Sequence, residues 1–206
     1  MNHSFFVIED HTLTNLGIRD IIKNNTDFSC AGYASDESEA FEKLTELDMK
    51  GQLPQILILD LFLGNDSGID VLREVTKHFP SIKVLVYSMY SNSGIVNLVL
   101  ENGAKAFVSK ASPESELVQA IKMITSGECQ CYVQPELIEP LRTYNSIFAS
   151  LTHNEKNVLN KIIERKDLDA IASELDMEKR TVETYFSRIC AKSGCKNYGE
   201  LIERFA

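Results

Sequence analysis

The feature that most constrains this chain is an alternation of short apolar runs with helically spaced segments, repeated five times within the first 126 residues. The run from Ile56 to Leu59, which ends at Asp60, contains no polar residue, as is typical of a parallel strand buried on both faces. A helix is predicted after each run, and one of these helices ends at Asn102 and Gly103, a common C-terminal signal. Five strand–helix units in succession predict an α/β fold with a doubly wound, flavodoxin-like parallel sheet of five strands.

The pattern changes near residue 150, after which four short amphipathic segments predict helices over about 153–164, 168–174, 179–193 and 197–204. The preceding stretch, 128–148, contains two prolines and mixed polarity, and is predicted to be a linker that is helical in part. A chain of 206 residues is long enough for two domains. We therefore predict an α/β domain over 1–127, a linker over 128–148 and a small all-α, four-helix domain over 149–206.

Composition and the N-terminus indicate the compartment. No apolar run approaches the roughly 18 residues that a membrane span needs, and the first residues, MNHSFFVIED, lack the basic segment of a signal peptide. We therefore expect a cytoplasmic protein with no membrane segment, whose five cysteines are reduced thiols. The spacings of Cys129 with Cys131 and of Cys190 with Cys195 differ from the C-x₂-C pattern of zinc sites, so zinc binding is not expected.

Acidic residues stand where the predicted strands end. Glu9 and Asp10 close the first strand, and Asp60 closes the third. In an open α/β sheet, ligands bind beyond the carboxyl ends of the strands where the strand order reverses, and in the order 2-1-3-4-5 these two strands are neighbours. Three carboxylates in one cleft repel one another unless a cation joins them, and hard oxygen ligands favour Mg²⁺.

Two further polar residues follow later strands. Ser88 closes the fourth strand, and Lys110 comes directly after the fifth. Taken singly, an aspartate at a strand end is usually a helix cap and a lysine there is usually solvated, but four such placements at successive strand ends favour one shared site. A carboxylate, a divalent ion, a hydroxyl and an ammonium group can together receive a phosphoryl group, with Asp60 as the nucleophile.

The first domain resembles the receiver domain of two-component response regulators over about residues 3–126. The matching residues are the pair Glu9-Asp10, Asp60 in LILDLFLGNDSG, Ser88 in VLVYS, and Phe107 with Lys110 in GAKAFVSK. The resemblance implies that a partner sensor histidine kinase phosphorylates Asp60. It implies Mg²⁺ ligands from the side chains of Glu9, Asp10 and Asp60 and the backbone carbonyl of Phe62, with Lys110 stabilising the phosphoryl group and Ser88 and Phe107 acting as the switch pair.

The sequence departs from the receiver pattern after two of these residues. Gly64 stands in the loop after Asp60 where proline is usual, so this loop is expected to be looser. Ala111 follows Lys110 where many receivers have proline.

Charge and helix periodicity single out the third helix of the second domain. Residues 179–196 hold five basic residues and one acidic residue, although the chain has a net charge of −9, and a local basic stripe is typical of nucleic-acid contact. Val182 and Ile189 lie on one face of this helix, and small or basic residues lie on the other. An ordinary amphipathic helix would have the same periodicity. The candidate DNA contacts are Arg180, Thr181, Glu183, Thr184, Ser187, Arg188 and Lys192.

The neighbouring segments favour the DNA-binding interpretation. LTHNEKNVL at 151–159, AIASELDM at 170–177 and TVETY at 181–185 resemble the LuxR-type helix-turn-helix, so the whole chain is similar to a NarL/FixJ-type response regulator. That resemblance implies binding of double-stranded DNA through the major groove by homodimers, at least when phosphorylated. Arg165 stands at a turn where glycine is usual, and Glu178 stands at a helix cap where serine or threonine is usual.

Three functions can be compared. The favoured hypothesis is a DNA-binding transcription regulator that phosphorylation of Asp60 switches. The alternative is a phosphorylation-independent regulator whose receiver serves as a dimerisation or ligand-binding module, and the Gly64 loop is its only support. An aspartyl-phosphate hydrolase would need a second aspartate two residues after the nucleophile, where this chain has Phe62, so we do not expect an enzyme.

Overall fold

The computed structural model describes residues 3–64 and 66–205. The chain divides into two compact units, one made of Met1–Met89 with Val99–Gln134 and the other of Tyr90–Leu98 with Pro135–Ala206. One helix, α4 (Ser93–Glu101), is therefore shared between the two units. Within the described residues, every helix is too short or too polar to cross a lipid bilayer.

The first unit is built on a parallel sheet whose strands are β1 Ser4–Ile8, β2 Ser29–Ala34, β3 Ile56–Leu59, β4 Lys83–Ser88, β5 Ala106–Ser109 and β6 Tyr132–Val133. Their order in the sheet is β2-β1-β3-β4-β5-β6. The helices of this unit, besides the end of α4, are α1 Thr12–Asn25, α2 Glu37–Met49, α3 Gly68–His78 and α5 Glu114–Ser126. The doubly wound parallel fold predicted from the alternating pattern is thus confirmed, with β1 and β3 as neighbours.

The core of this unit forms because alternate strand residues point to the same face of the sheet. Val7, Ile58 and Leu85 lie on one face and pack with Ile18 of α1 and Ile121 of α5, and all five are buried. The strands are buried along their whole length, apart from the edge strands and the first residue of β4, so each has a continuous apolar run with polar residues only at its ends.

The predicted number of five strands was wrong, because β6 adds a sixth. This strand has only two residues, Tyr132 and Val133, which pair in parallel with Ala106 and Phe107 of β5. The Tyr132 hydroxyl donates a hydrogen bond of 2.8 Å to Glu116 Oε2 in α5. Two residues are too few to show a period, so contacts with β5 and α5, which are distant in sequence, define this strand.

A short hairpin follows β3. In it Phe62 pairs with Ser67 and Leu63 pairs with Asp66. Gly64, at the turn, has φ of +61°, a left-handed conformation that glycine adopts without a steric penalty. The missing proline in this loop is therefore replaced by a residue that suits the turn.

The second unit is helical, with α6 Pro135–Ala149, α7 His153–Ile163, α8 Leu168–Glu174, α9 Lys179–Ser193 and α10 Tyr198–Phe205. The four helices predicted after residue 150 are present with ends within one residue of the prediction. The segment predicted as a linker contains β6 and most of α6. Tyr144 of α6 packs edge-to-face on Phe205 of α10, with ring centroids 5.2 Å apart.

Local capping explains where these helices begin. A capping box begins α7: the Thr152 side chain accepts from the Glu155 N–H, and Glu155 Oε2 accepts from the Thr152 N–H at 2.8 Å. Asp167 caps α8 by accepting from the Ala170 N–H at 2.8 Å. Glu178, at the start of α9, makes no such side-chain bond. Arg165 has φ of +62°, the conformation for which a turn glycine is usual.

Candidate functional site

The carboxyl ends of β1 and β3 bring two of the predicted acidic residues together. Ile8 and Leu59 are register partners, and the Asp60 N–H donates to the Ile8 carbonyl at 3.0 Å, so Glu9 and Asp60 emerge side by side. Both residues are buried, with exposed fractions of 2% for Glu9 and 6% for Asp60. Two buried carboxylates that lie side by side require a compensating positive charge.

Lys110 supplies that charge. Its Nζ lies 2.6 Å from Asp60 Oδ2 and 2.6 Å from Glu9 Oε2, so the two carboxylate oxygens are separated by no more than twice that distance. The Lys110 N–H donates to the Ser88 carbonyl at 2.9 Å, which anchors the residue beyond the end of β4. Burial alone would lower the pKa of the Lys110 ammonium, but its bonds to Asp60 and Glu9 outweigh burial and raise the pKa above 10.5.

Asp10 and His11 form the more exposed side of the cluster. His11 Nδ1 lies 2.8 Å from Asp10 Oδ1 and 3.2 Å from Glu9 Oε1, and one ligand atom from each of the three residues lies within 4.8 Å of the others. Glu9, Asp10 and Asp60 together carry three carboxylates against the one ammonium of Lys110. This oxygen-rich, negatively charged donor set fits a hard divalent cation. His11 was missed in the sequence, where its position directly after the acidic pair was the available signal.

The remaining predicted residues of this unit lie on neighbouring strands. Ser88, at the end of β4, is fully buried, and its hydroxyl has no hydrogen-bond partner among the residues that the structure describes. Phe107 of β5 is also fully buried, and β4 and β5 are paired. Phe62 is exposed in the hairpin after Asp60. The buried, unpaired hydroxyl is unusual, because buried polar groups normally find a partner.

Gly68 holds the chain after Asp60 in a tight approach. Its N–H donates to the Leu61 carbonyl at 3.0 Å. A Cβ atom built on Gly68 would overlap the Asp60 carbonyl oxygen and the Leu61 Cα. A side chain at this position would therefore displace the backbone that carries Asp60.

The second unit presents the predicted DNA contacts on the exposed face of α9. All seven predicted residues are exposed, whereas Val182 and Ile189 on the opposite face are buried. The hydroxyls of Thr184 and Ser187 donate to backbone carbonyls one turn earlier, at 2.8 and 2.9 Å. The exposed face of α9 therefore combines small side chains with two arginines, Arg180 and Arg188.

Lys192 has an ammonium that forms an ion pair within the unit. Lys192 Nζ lies 2.6 Å from Glu155 Oε2 and 3.0 Å from the Ser150 carbonyl. The Glu155 side chain is 2% exposed, and the hydrogen bond from Lys192 is the main cause that lowers its pKa below 4.5. Lys192 thus neutralises the buried acid of the capping box. The sequence did not reveal this pair, whose members are 37 residues apart.

Comparison with known proteins matches the two units to two families. Residues 5–122 match the response regulator receiver domain, and residues 149–205 match the bacterial regulatory proteins of the luxR family. Among curated relatives, the oxygen regulatory protein NreC of Staphylococcus haemolyticus (strain JCSC1435) is 28% identical over 210 residues, covering 96% of this chain and 94% of the relative. NreC of Staphylococcus carnosus (strain TM300) is 26% identical with the same coverage.

Solved structures share the fold. RcsB from Salmonella enterica serovar Typhimurium, bound to the rprA promoter in the presence of the phosphomimetic BeF₃⁻, superposes with a TM-score of 0.68. It is 23% identical and covers 98% of each chain. A LuxR-family two-component response regulator from Aurantimonas sp. SI85-9A1 is 25% identical, with a TM-score of 0.63 over 71% of this chain and 99% of the other.

Proposed function

Because this chain belongs to the response regulator receiver family and ends in a luxR-family regulatory domain, we propose that it is a transcription regulator switched by phosphorylation of Asp60. The phosphoryl donor is a partner sensor histidine kinase, and the output is the affinity of the second unit for double-stranded DNA. The observation that carries the proposal is the placement of Lys110 Nζ at 2.6 Å from both Asp60 and Glu9.

The proposed phosphoryl transfer uses this placement. A carboxylate oxygen of Asp60 attacks the phosphorus of phosphohistidine, the P–N bond breaks, and the imidazole nitrogen keeps the electron pair. Lys110 then faces the new phosphoryl oxygens instead of the free carboxylate, and before the transfer its raised pKa keeps it charged.

The acidic cluster is the site for Mg²⁺. The side chains of Glu9, Asp10 and Asp60 would hold the ion, together with the backbone carbonyl of Phe62. When bound, Mg²⁺ neutralises the charge that builds up on the transferring phosphoryl group. Support comes from the excess of carboxylates over cations in the cluster.

Ser88 and Phe107 form the switch. The buried Ser88 hydroxyl, which has no partner among the described residues, is free to turn toward a phosphoryl oxygen on Asp60. The buried ring of Phe107 on the adjacent strand fills the space that the hydroxyl leaves. Phosphorylation thereby shifts an equilibrium between two arrangements of the first unit.

The exposed face of α9 contacts the major groove. Arg180 and Arg188 bind phosphates or guanine, the small side chains of Thr181, Thr184 and Ser187 allow close approach, and Glu183 accepts from cytosine N4. Residues 149–206 carry ten basic and ten acidic residues, so a single copy is electrostatically weak on DNA and binding requires a homodimer. The RcsB–promoter complex is a relative in which DNA and a phosphomimetic occur together.

Beryllofluoride titration tests the proposal. The protein with Mg²⁺ and beryllofluoride is compared with the same protein without them, and with an Asp60→Asn variant that removes the acceptor. Dimer formation by light scattering and selection of bound oligonucleotides are the measurements. We expect beryllofluoride to promote dimers and DNA affinity only when Asp60 is present. DNA binding that is equally strong in all samples would favour the phosphorylation-independent regulator.

A further inference from the structure

The turn that carries Lys110 is held from outside by one buried side chain, Gln134, which follows β6. We propose that Gln134 is a positioning residue for Lys110, and that it ties the phosphoacceptor site to the chain leaving the first unit. This inference rests on the proposed function of Asp60 and extends it to a residue far from the acidic cluster in sequence.

The turn has a defined hydrogen-bond pattern. The Ser112 N–H donates to the Ser109 carbonyl at 3.0 Å, and the Ala111 N–H donates to Ser109 Oγ at 3.2 Å. Lys110 lies inside this turn and is followed by Ala111, so no proline ring restricts the backbone here. The rigidity of the turn therefore depends on its hydrogen bonds.

Gln134 bonds to both ends of the turn through one atom. Its Oε1 accepts from the Ser109 N–H at 2.7 Å and from the Ser112 hydroxyl at 3.1 Å. Both contacts come from groups that can donate, so the atom is the amide oxygen and not the nitrogen. Gln134 is 5% exposed, and Ser109 is also buried. Water cannot readily replace an acceptor at such a site, so removal of the oxygen leaves a buried N–H unsatisfied.

The position of Lys110 depends on this brace. Lys110 must reach two carboxylates at once, each at 2.6 Å, and small backbone shifts of its turn would break one of the two contacts. Groups that stabilise a phosphoryl ligand are effective only when they are held in place beforehand. Gln134 supplies this preorganisation through Ser109 and Ser112, in addition to the bond from the Lys110 N–H to the Ser88 carbonyl.

The same residue marks the exit from the unit. Gln134 follows β6, whose Val133 is the register partner of Phe107, and Pro135 begins α6. A movement of Lys110 toward a phosphoryl group would therefore be transmitted through its turn to Gln134, which directly precedes α6. Strand pairing also places β6 directly beside Phe107 of β5, the aromatic residue of the proposed switch.

The test uses the full-length chain and two variants of Gln134. Gln134→Met keeps the length and removes the acceptor, whereas Gln134→Glu keeps an acceptor oxygen. The measurements are beryllofluoride affinity at saturating Mg²⁺, Mg²⁺ affinity alone, and hydrogen exchange of residues 109–112 and 132–134. We expect Gln134→Met to weaken beryllofluoride binding about two- to tenfold and Gln134→Glu to restore most of it, because the acceptor oxygen for the bonds from the Ser109 N–H and the Ser112 hydroxyl is lost in the first variant and kept in the second.

Two readouts separate positioning from general structural damage. Mg²⁺ affinity should not fall in Gln134→Met, since Lys110 and its turn supply none of the carboxylate ligands and a displaced ammonium leaves Glu9 and Asp60 more negative. Beryllofluoride should alter exchange at 132–134 in the natural sequence and fail to do so in Gln134→Met. Equal beryllofluoride affinity in Gln134→Met and the natural sequence, or a parallel loss of Mg²⁺ affinity, would overturn the inference.

A further variant covers the case in which Gln134→Met does not fold. Ser112→Ala removes only one of the two bonds to Gln134 and should give a smaller loss of beryllofluoride affinity with faster exchange at 109–112. No change in either quantity would contradict the inference. If the natural sequence itself does not bind beryllofluoride, the proposed function fails. The exchange of residues 109–112 in ligand-free Gln134→Met then still decides whether Gln134 braces the turn.

Discussion

Replacement of Lys192 by methionine should destabilise the second unit more than its place on the α9 surface suggests. The ammonium lies 2.6 Å from Glu155 Oε2, and the Glu155 side chain is 2% exposed. Methionine keeps the length and apolar stem of the side chain and removes only the charge. The variant therefore leaves a buried carboxylate that still accepts a hydrogen bond from the Thr152 N–H.

The magnitude follows from the cost of an unpaired buried charge. Breaking a fully buried pair by removing one partner costs about 3–5 kcal/mol. The Lys192 side chain is 34% exposed and the Thr152 N–H still bonds to Glu155, so we expect a loss of about 1–2 kcal/mol. Removing both charges in Glu155→Gln/Lys192→Met should return most of this loss, because no uncompensated charge is then buried. Lys196→Met is the matched control: it removes one exposed charge whose side chain makes no ion pair within the described residues.

Native-state hydrogen exchange of the full-length chain measures this effect locally, because the amides of α7 and α9 report the opening of the second unit. We expect protection to fall in Lys192→Met, to recover in the double variant and to stay unchanged in Lys196→Met. A loss below about 0.5 kcal/mol in Lys192→Met, or equal losses in the single and double variants, would refute the assignment of a stabilising ion pair to the buried Glu155. Loss of DNA affinity in Lys192→Met has to be corrected for this loss of stability.

Three further outcomes are expected. Lys110→Met should destabilise the first unit by about 3 kcal/mol in urea unfolding, because two buried carboxylates lose their shared cation, and added Mg²⁺ should recover part of the loss. Gly68→Ala should lower the free energy of unfolding by more than about 2 kcal/mol and weaken beryllofluoride binding, since its Cβ overlaps the Asp60 carbonyl. The control is Gly17→Ala, whose Cβ meets no atom within 4 Å, and which should be neutral or stabilising by up to about 1 kcal/mol. Because the pKa of Glu155 is lowered in the folded chain, its carboxylate adds stability above its ordinary pKa of 4.5, and this stability is lost as the pH falls through the lower folded value. In Glu155→Gln, the stability of α7 measured by hydrogen exchange should therefore depend less on pH between about pH 5 and 3.

Much of the fold was determined by local sequence pattern. The middle residues of β1, β3 and β4 are buried on both faces, so they form continuous apolar runs, and such runs are visible without a structure. The caps at Thr152 and Asp167 involve residues three positions apart, so they too could be predicted. The acidic cluster was predictable because parallel strands place their carboxyl ends at one edge, which makes Glu9 and Asp60 neighbours once the strand order is assumed.

Tertiary structure decided the features that depend on pairs far apart in the chain. The bond from Lys192 to Glu155 spans 37 residues, and the bond from Ser109 to Gln134 spans 25. Neither pair has a period or a motif, because a side chain can meet a distant partner in many spacings. The two-residue strand β6 likewise exists only because the edge of β5 offers it a ladder. Sequence therefore determined which elements form and which carboxylates share an edge, and packing determined which charged and polar groups those elements finally bring into contact.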